Sequence, residues 1–169
     1  MGSRTSVTVR ELVIFSMLTA ILLISKAVLS FLPNIELISF FCILYTLYFG
    51  KKALLIIGCF IAVEGLVFGF GMWWFGYLIA WPLLWAISMS LRKIRSVLLW
   101  AVVSGAFGLL FGMLCAIPYL FVGGLSAAAS YWLAGIPFDL THCFGNCVVM
   151  ALLYHPIRRL FDRCFLAHA

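Results

Sequence analysis

Four charged side chains stand within otherwise apolar sequence and are the first candidates for chemistry: Lys26, Glu36, Glu64 and Asp139. His142 and Asn146 follow Asp139 at i+3 and i+7, so these three share one helical face within about 60°. That face offers an acceptor, a titratable imidazole and an amide that both donates and accepts, a set suited to a polar ligand. The same set would serve a hydrogen-bond network between membrane helices. Glu64, in the stretch Val63-Glu64-Gly65, can meet a ligand or form an ion pair with Lys26. Glu36 follows Pro33-Asn34 at the start of an apolar run, where a carboxylate favours a helix N-terminus, and capping is its leading role. Lys26 can pair with Glu64 or snorkel toward water. Trp74, Tyr77, Trp81 and Trp85 fall on one helical face, with Trp73 off it; most of these suit a membrane interface, and a few could stack on a flat ring or a cation.

Absent motifs narrow the chemistry. The phosphate loop G-x-x-x-x-G-K-[ST] is missing, because Gly50-Lys51-Lys52 lacks both the earlier glycine and the following hydroxyl. Neither H-E-x-x-H nor G-x-S-x-G occurs, so catalysis is not expected. Cys143 and Cys147 lie near His142 and Asp139, but clusters confined to one helix ordinarily pack, and neither metal nor cofactor is expected. The six cysteines sit in apolar runs or near the chain end, as reduced packing residues do.

The elements that must position these residues follow from composition. The chain is 66% hydrophobic and 9% charged over 169 residues. A soluble domain is about half apolar and a quarter charged, so lipid must be the solvent here. Ten-residue alternating patterns are absent, which argues against a barrel. The reading is a single all-α integral membrane domain over residues 1–169, with spans near 11–31, 37–50, 53–70, 73–91, 97–121 and 127–154. The second and third are short for a full crossing, as a tilted or partly non-helical segment would be. Punctuation falls at Leu32-Pro33-Asn34, Gly50-Lys51-Lys52, Gly69-Phe70-Gly71, Arg92-Lys93-Ile94-Arg95 and Gly123-Gly124. No cleavable leader is expected.

Basic residues set the orientation. Arg4 and Arg10 precede the first span, and Lys51 and Lys52 join the second and third. Arg92, Lys93 and Arg95 join the fourth and fifth, while Arg158, Arg159 and Arg163 follow the sixth. Six spans put all four groups on one side, which the positive-inside rule makes the cytoplasm. Lys26 alone breaks the pattern, so the net charge of +6 reads as topology rather than as a nucleic-acid surface. The opposite connections carry Trp73, Trp74, Tyr131 and Trp132, as an outer aromatic belt would. Lys26, Glu36, Glu64 and Asp139 then gather toward the outer side, which suggests a polar pocket open there.

Two rows of small residues complete the pattern. Ser16, Thr19, Ala20, Ala27 and Ser30 share one face of the first span, and Ser104, Gly108, Gly112 and Ala116 recur every four residues in the fifth. Small residues let another backbone approach closely, and one row could be internal while the other meets a partner.

With these features in place, the chain resembles the substrate-binding S components of energy-coupling factor (ECF) transporters. The most specific stretch is Leu32-Pro33-Asn34-Ile35-Glu36-Leu37-Ile38-Ser39, followed by Leu47-Tyr48-Phe49-Gly50-Lys51-Lys52. Many S components similarly begin the second span with Pro-Asn-aliphatic and end it in a phenylalanine-glycine turn. Ser16 and Ala20 stand where family members more often show alanine pairs. The resemblance implies a bundle of the S-component type that binds a vitamin or related micronutrient in an outer pocket. It further implies docking, largely through span one, on a transmembrane T subunit with two ATPases, and toppling in the membrane to release the substrate. On that reading Ser16 and Ala20 contact the partner, and Glu64, Asp139, His142 and Asn146 contact the substrate, with Lys26 and Glu36 beside them. The lid would include Asn34 and Trp73-Trp74.

Acidic groups beside aromatics would suit a small nitrogen-containing ring, such as a vitamin B6 form, thiamine or its pyrimidine precursor. A queuosine precursor or other nucleobase-like solute is the alternative, and a large corrinoid suits so compact an outer side less well. Two other classes compete. A scaffold resembling cell-shape factors would account for the small-residue faces but not for the gathered polar residues. A membrane enzyme using Asp139 and His142 would show turnover rather than stoichiometric binding.

Overall fold

The computed structural model describes residues 7–32 and 34–166. Arg4, one of the topogenic charges, and Pro33, in the stretch that opens the second span, lie outside the described residues. The elements are α1 (Val9–Leu29), α2 (Ile38–Phe49), a 3-10 turn (Gly50–Lys52), α3 (Ala53–Phe68), α4 (Met72–Leu91) and α5 (Val97–Phe161), followed by a π turn (Asp162–Leu166). Among the described residues there is no strand.

Local chemistry explains the boundaries. Thr8 caps α1: its hydroxyl accepts from Glu11 N–H at 3.2 Å, and Glu11 accepts in return from Thr8 N–H at 3.0 Å. Ser96 caps α5 by accepting from Leu99 N–H at 3.3 Å. Helix α5 is two arms, residues 97–122 and 125–161. Helical geometry fails between them at Gly123 and Gly124, where Gly124 takes φ 67° and ψ −167°, a conformation that costs a glycine little. The expected connection over 122–126 is therefore shorter than the sequence suggests, and the second arm runs on to Phe161.

The arms fold back on each other as an antiparallel hairpin. Cys147 meets Ala101, Asn146 meets Ser104, Asp139 meets Gly112, and the rings of Tyr119 and Tyr131 stack at 4.4 Å. As the first partner climbs the chain, the second descends. The row Ser104, Gly108, Gly112 and Ala116 is thus internal: Ser104, Gly108 and Ala116 are buried, and a Cβ on Gly108 would lie 2.9 Å from the His142 carbonyl. The row on α1 faces outward instead. Ser16, Ala20, Ala27 and Ser30 are exposed, and only Thr19 turns inward, where its hydroxyl donates to Ile56 C=O at 3.4 Å.

Around the hairpin, α4 packs against α5, α2 and α3, and α1 covers α3. Trp81, Trp100, Tyr45, Tyr154, Phe40 and Phe60 fill the centre. Outside, large apolar side chains stay exposed along the helices, from Val9 at 80% to Phe121 at 87%. Such a surface suits lipid rather than water. Among the described residues, three helices are long and apolar enough to cross a membrane: Val9–Leu29, Met72–Leu91 and the broken Val97–Phe165. With 12 and 16 residues, α2 and α3 are shorter. At 1.5 Å per residue they reach roughly 18 and 24 Å, against about 30 Å of bilayer hydrocarbon.

The bundle has two chemically distinct ends. At one, Lys52 pairs with Glu11 at 2.6 Å, and Tyr48 donates to Arg158 C=O at 3.0 Å and also bonds Asp162. Trp85 Nε1 donates to Gly50 C=O at this end too, at 3.1 Å. The first turn of α1, the α2–α3 turn and the last turn of α5 therefore meet there, among the basic residues. Lys26, Glu36, Glu64, Asp139 and His142 lie toward the other end.

Candidate functional site

The polar end encloses a cavity of about 340 Å³ between α1, α2, α4 and both arms of α5. Lys26, Asn34, Glu36, Tyr77, Trp81, Phe111 and His142 are among its walls. A second chamber of about 380 Å³ shares Asn34 and Phe111 with the first and adds Gly112, Tyr131 and Asp139. Asn34 reaches both because the turn into α2 holds it at φ 56°, a left-handed conformation that asparagine tolerates better than most residues.

Glu36 organises the first chamber. Its carboxylate accepts from the N–H groups of Ile38 and Ser39 and from the Ser39 hydroxyl, and so caps α2. It also meets His142 Nε2 at 3.1 Å, which ties α2 to the second arm of α5. One carboxylate thus holds both a helix N-terminus and the imidazole. Glu36→Ala is expected to lose both, lowering stability in detergent by about 1–2 kcal/mol. Glu36→Gln keeps an acceptor and should lose less; thermal unfolding of the two variants checks the order.

Lys26 closes another side. Its ammonium pairs with Glu64 and lies 5.3, 5.4 and 5.1 Å from the rings of Phe68, Trp73 and Tyr77. An ammonium facing several aromatic rings is held by their quadrupoles as well as by the carboxylate. Glu64 is 1% exposed and lies behind Lys26, so it supports the wall without forming part of it.

The other predicted residues divide in the same way. Asp139 borders the second chamber, where Gly112 N–H donates to its Oδ1 at 3.0 Å. Asn146 is deeper and lines neither chamber; its amide donates to the Ser39 hydroxyl at 3.2 Å and to Ser104 C=O at 3.1 Å. Trp74 Nε1 donates to Ile61 C=O at 2.9 Å, and Trp73 packs on Tyr77 and Lys26. Both tryptophans therefore stand behind the pocket wall. Ser16 and Ala20 are remote from it, in an apolar groove of about 530 Å³ between α1 and α3.

Sequence reasoning underweighted the aromatic wall. Tyr77 and Trp81 are one turn apart on α4, with ring centroids at 5.5 Å, and Phe111 lies 5.5 Å from Trp81 and 5.0 Å from the His142 ring. The i, i+4 spacing of Tyr77 and Trp81 was a usable signal, whereas nothing distinguished Phe111 among sixteen phenylalanines.

Three wall residues carry polar atoms that are buried and unpaired: Trp81 Nε1, His142 Nδ1 and Asp139 Oδ2. Trp81, His142 and Asp139 are 1%, 3% and 4% exposed, so bulk water does not reach these atoms freely. Buried polar groups without partners are costly and rare, and these three belong to residues that line the adjoining cavities. Comparison with protein-family models, curated proteins and solved structures finds no match to this chain.

Proposed function

We propose that this chain is the substrate-capture subunit of an ECF-type importer, crossing a prokaryotic plasma membrane six times with both ends in the cytoplasm. The chambers at the polar end would open outward and receive a vitamin or related small micronutrient. The exposed Ser16–Ala20 face of α1 would dock on a transmembrane T subunit associated with two ATPases. The observation that carries this reading is the pair of adjoining cavities bordered by Lys26, Glu36, His142 and Asp139, at the end of the bundle away from the basic turns. Basic turns favour the cytoplasmic side, so a pocket at the far end would meet solute outside the cell. A chain without a phosphate loop cannot power transport with ATP by itself, so ATP-driven uptake would need separate ATPases. The exposed small residues on α1 offer a place for such a partner, since the other row is occupied within the hairpin.

Native mass spectrometry of the full chain, purified in mild detergent, tests the capture role. A small molecule retained at one copy per chain is the expected result. Asp139→Ala and His142→Ala should each weaken its retention about tenfold, the scale of one buried hydrogen bond. Co-expression with T and ATPase subunits should yield a complex competent for uptake. Absence of any retained molecule, together with unchanged uptake in both variants, would sink the assignment. Conversion of the retained molecule would instead favour a membrane enzyme built on Asp139 and His142.

A further inference from the structure

The end of the bundle opposite the chambers carries charge that the protein leaves unbalanced. The chain has five acidic side chains. Glu36, Glu64 and Asp139 lie toward the chambers, Glu11 pairs with Lys52, and Asp162 accepts from Tyr48. Two basic turns are left: Lys51 between α2 and α3, and Arg92, Lys93 and Arg95 between α4 and α5. All four side chains are exposed, and among the described residues none of them forms an ion pair.

These turns are distant in sequence and neighbours in space. A Cβ on Gly50 would lie 3.6 Å from Arg92 Nη1, so the guanidinium rests beside the α2–α3 turn. Trp85 Nε1 fastens α4 to that same turn by donating to Gly50 C=O at 3.1 Å. The α4–α5 turn is pinned likewise, since the fully buried Trp100 donates from Nε1 to Ile94 C=O at 3.2 Å. Two indole anchors thus hold the backbones of both basic turns side by side, which concentrates like charge. Arg92, at the C-terminus of α4, is answered in part by that helix's dipole. Lys51 and Arg95 instead precede α3 and α5, where the dipole disfavours a cation and favours an anion.

Apolar surface continues from each turn. Leu55, four residues beyond Lys51, is 46% exposed, and Leu98, three beyond Arg95, is 71% exposed. Cations at the end of a lipid-facing surface match an amphiphile with a negative head.

We propose that the α2–α3 and α4–α5 turns together bind the phosphate headgroup of an anionic phospholipid through Lys51, Arg92, Lys93 and Arg95. Its acyl chains lie along the exposed leucines. A lipid fits better than a soluble anion, because the cations border a surface that is otherwise apolar. This site requires neither the capture role nor a particular leaflet.

Native mass spectrometry of the full chain in mild detergent tests it, with dioleoyl phosphatidylglycerol and dioleoyl phosphatidylcholine as probes. The anionic lipid should be retained about tenfold more than the zwitterionic one, whose acyl chains are identical. Lys51→Gln with Arg92→Gln should abolish that preference in a chain that thermal unfolding shows folded. Should that pair fail to fold, Lys93→Gln with Arg95→Gln leaves the Gly50 contact intact and should still reduce the preference several-fold. Arg159→Gln with Arg163→Gln removes equal charge from the C-terminal end of α5 and should change it less than about twofold. Equal retention of the two lipids by the unaltered chain overturns the site, as does an undiminished preference in the folded variants. So does an equal fall in the Arg159 and Arg163 control, which would trace the preference to net charge at that end. Displacement of the anionic lipid by an equal concentration of inorganic phosphate or of hexaglutamate overturns it too, since a soluble anion or an acidic protein segment would then suffice.

Discussion

Lys26→Met is expected to cost about 3–5 kcal/mol of stability in detergent, while Glu64→Gln costs only a fraction of that. The asymmetry follows from burial. The Glu64 side chain is 1% exposed, whereas that of Lys26 is 31% exposed. Removing Lys26 leaves a carboxylate among apolar side chains with no counter-charge, the most damaging way to break an ion pair. Removing the charge on Glu64 leaves an ammonium that still faces the Phe68, Trp73 and Tyr77 rings and can extend toward solvent. The double variant Lys26→Met with Glu64→Gln should recover most of the loss, because no buried charge remains. Thermal midpoints of the four proteins form the double-mutant cycle that measures the coupling. Equal losses for the two single variants would show that Glu64 is not the buried, dependent partner.

How far the molecule was legible beforehand depends on which physical signal each feature leaves in sequence. Helices announce themselves by apolar length and by breakers, and α2, α3 and α4 fall within two residues of the expected boundaries. The brevity of α2 and α3 was readable too, since Gly50-Lys51-Lys52 and Gly69-Phe70-Gly71 fix where they stop. Periodicity within one helix placed Asp139, His142 and Asn146 on a common face, and all three are buried. It carried no information on depth or on partners in other helices. Glu36 and His142 are separated by 106 positions, and Lys26 and Glu64 by 38. The ion pair between Lys26 and Glu64 was one of two open possibilities, and only the packing of α1 on α3 decides between them.

That distinction reshapes the site. Acidic residues counted along the sequence, beside aromatics, suggested a pocket for a small nitrogen-containing ring. In three dimensions Glu64 is paired and Glu36 is committed to the N-terminus of α2, and the buried unpaired atoms of cavity-lining residues belong to an indole, an imidazole and one oxygen of Asp139. The two rows of small residues were likewise indistinguishable by composition. Their roles separate only because the break at Gly123-Gly124 is tight enough to fold one arm of α5 onto the other.

The closeness of those arms makes Gly108→Ala the second large effect, with an expected loss of about 2–3 kcal/mol. A Cβ at this position would lie 2.9 Å from both the carbonyl carbon and oxygen of His142, and 3.0 Å from the Asn146 amide nitrogen. Because the nearest obstacle is backbone, no rotamer change relieves it; the arms must separate. Separation would also move His142 from Glu36, so ligand retention should fall along with stability. Gly105→Ala supplies the contrast. Its Cβ would collide with the Cys147 sulfur, with the Cys143 carbonyl farther off at 3.3 Å. Cys147→Ala removes that sulfur and should restore much of the Gly105→Ala loss, whereas it should do nothing for Gly108→Ala. Thermal unfolding of the singles and the two pairs reads this directly. Rescue of both glycine variants by Cys147→Ala would mean that the arms are held less closely at Gly108 than the His142 contact requires.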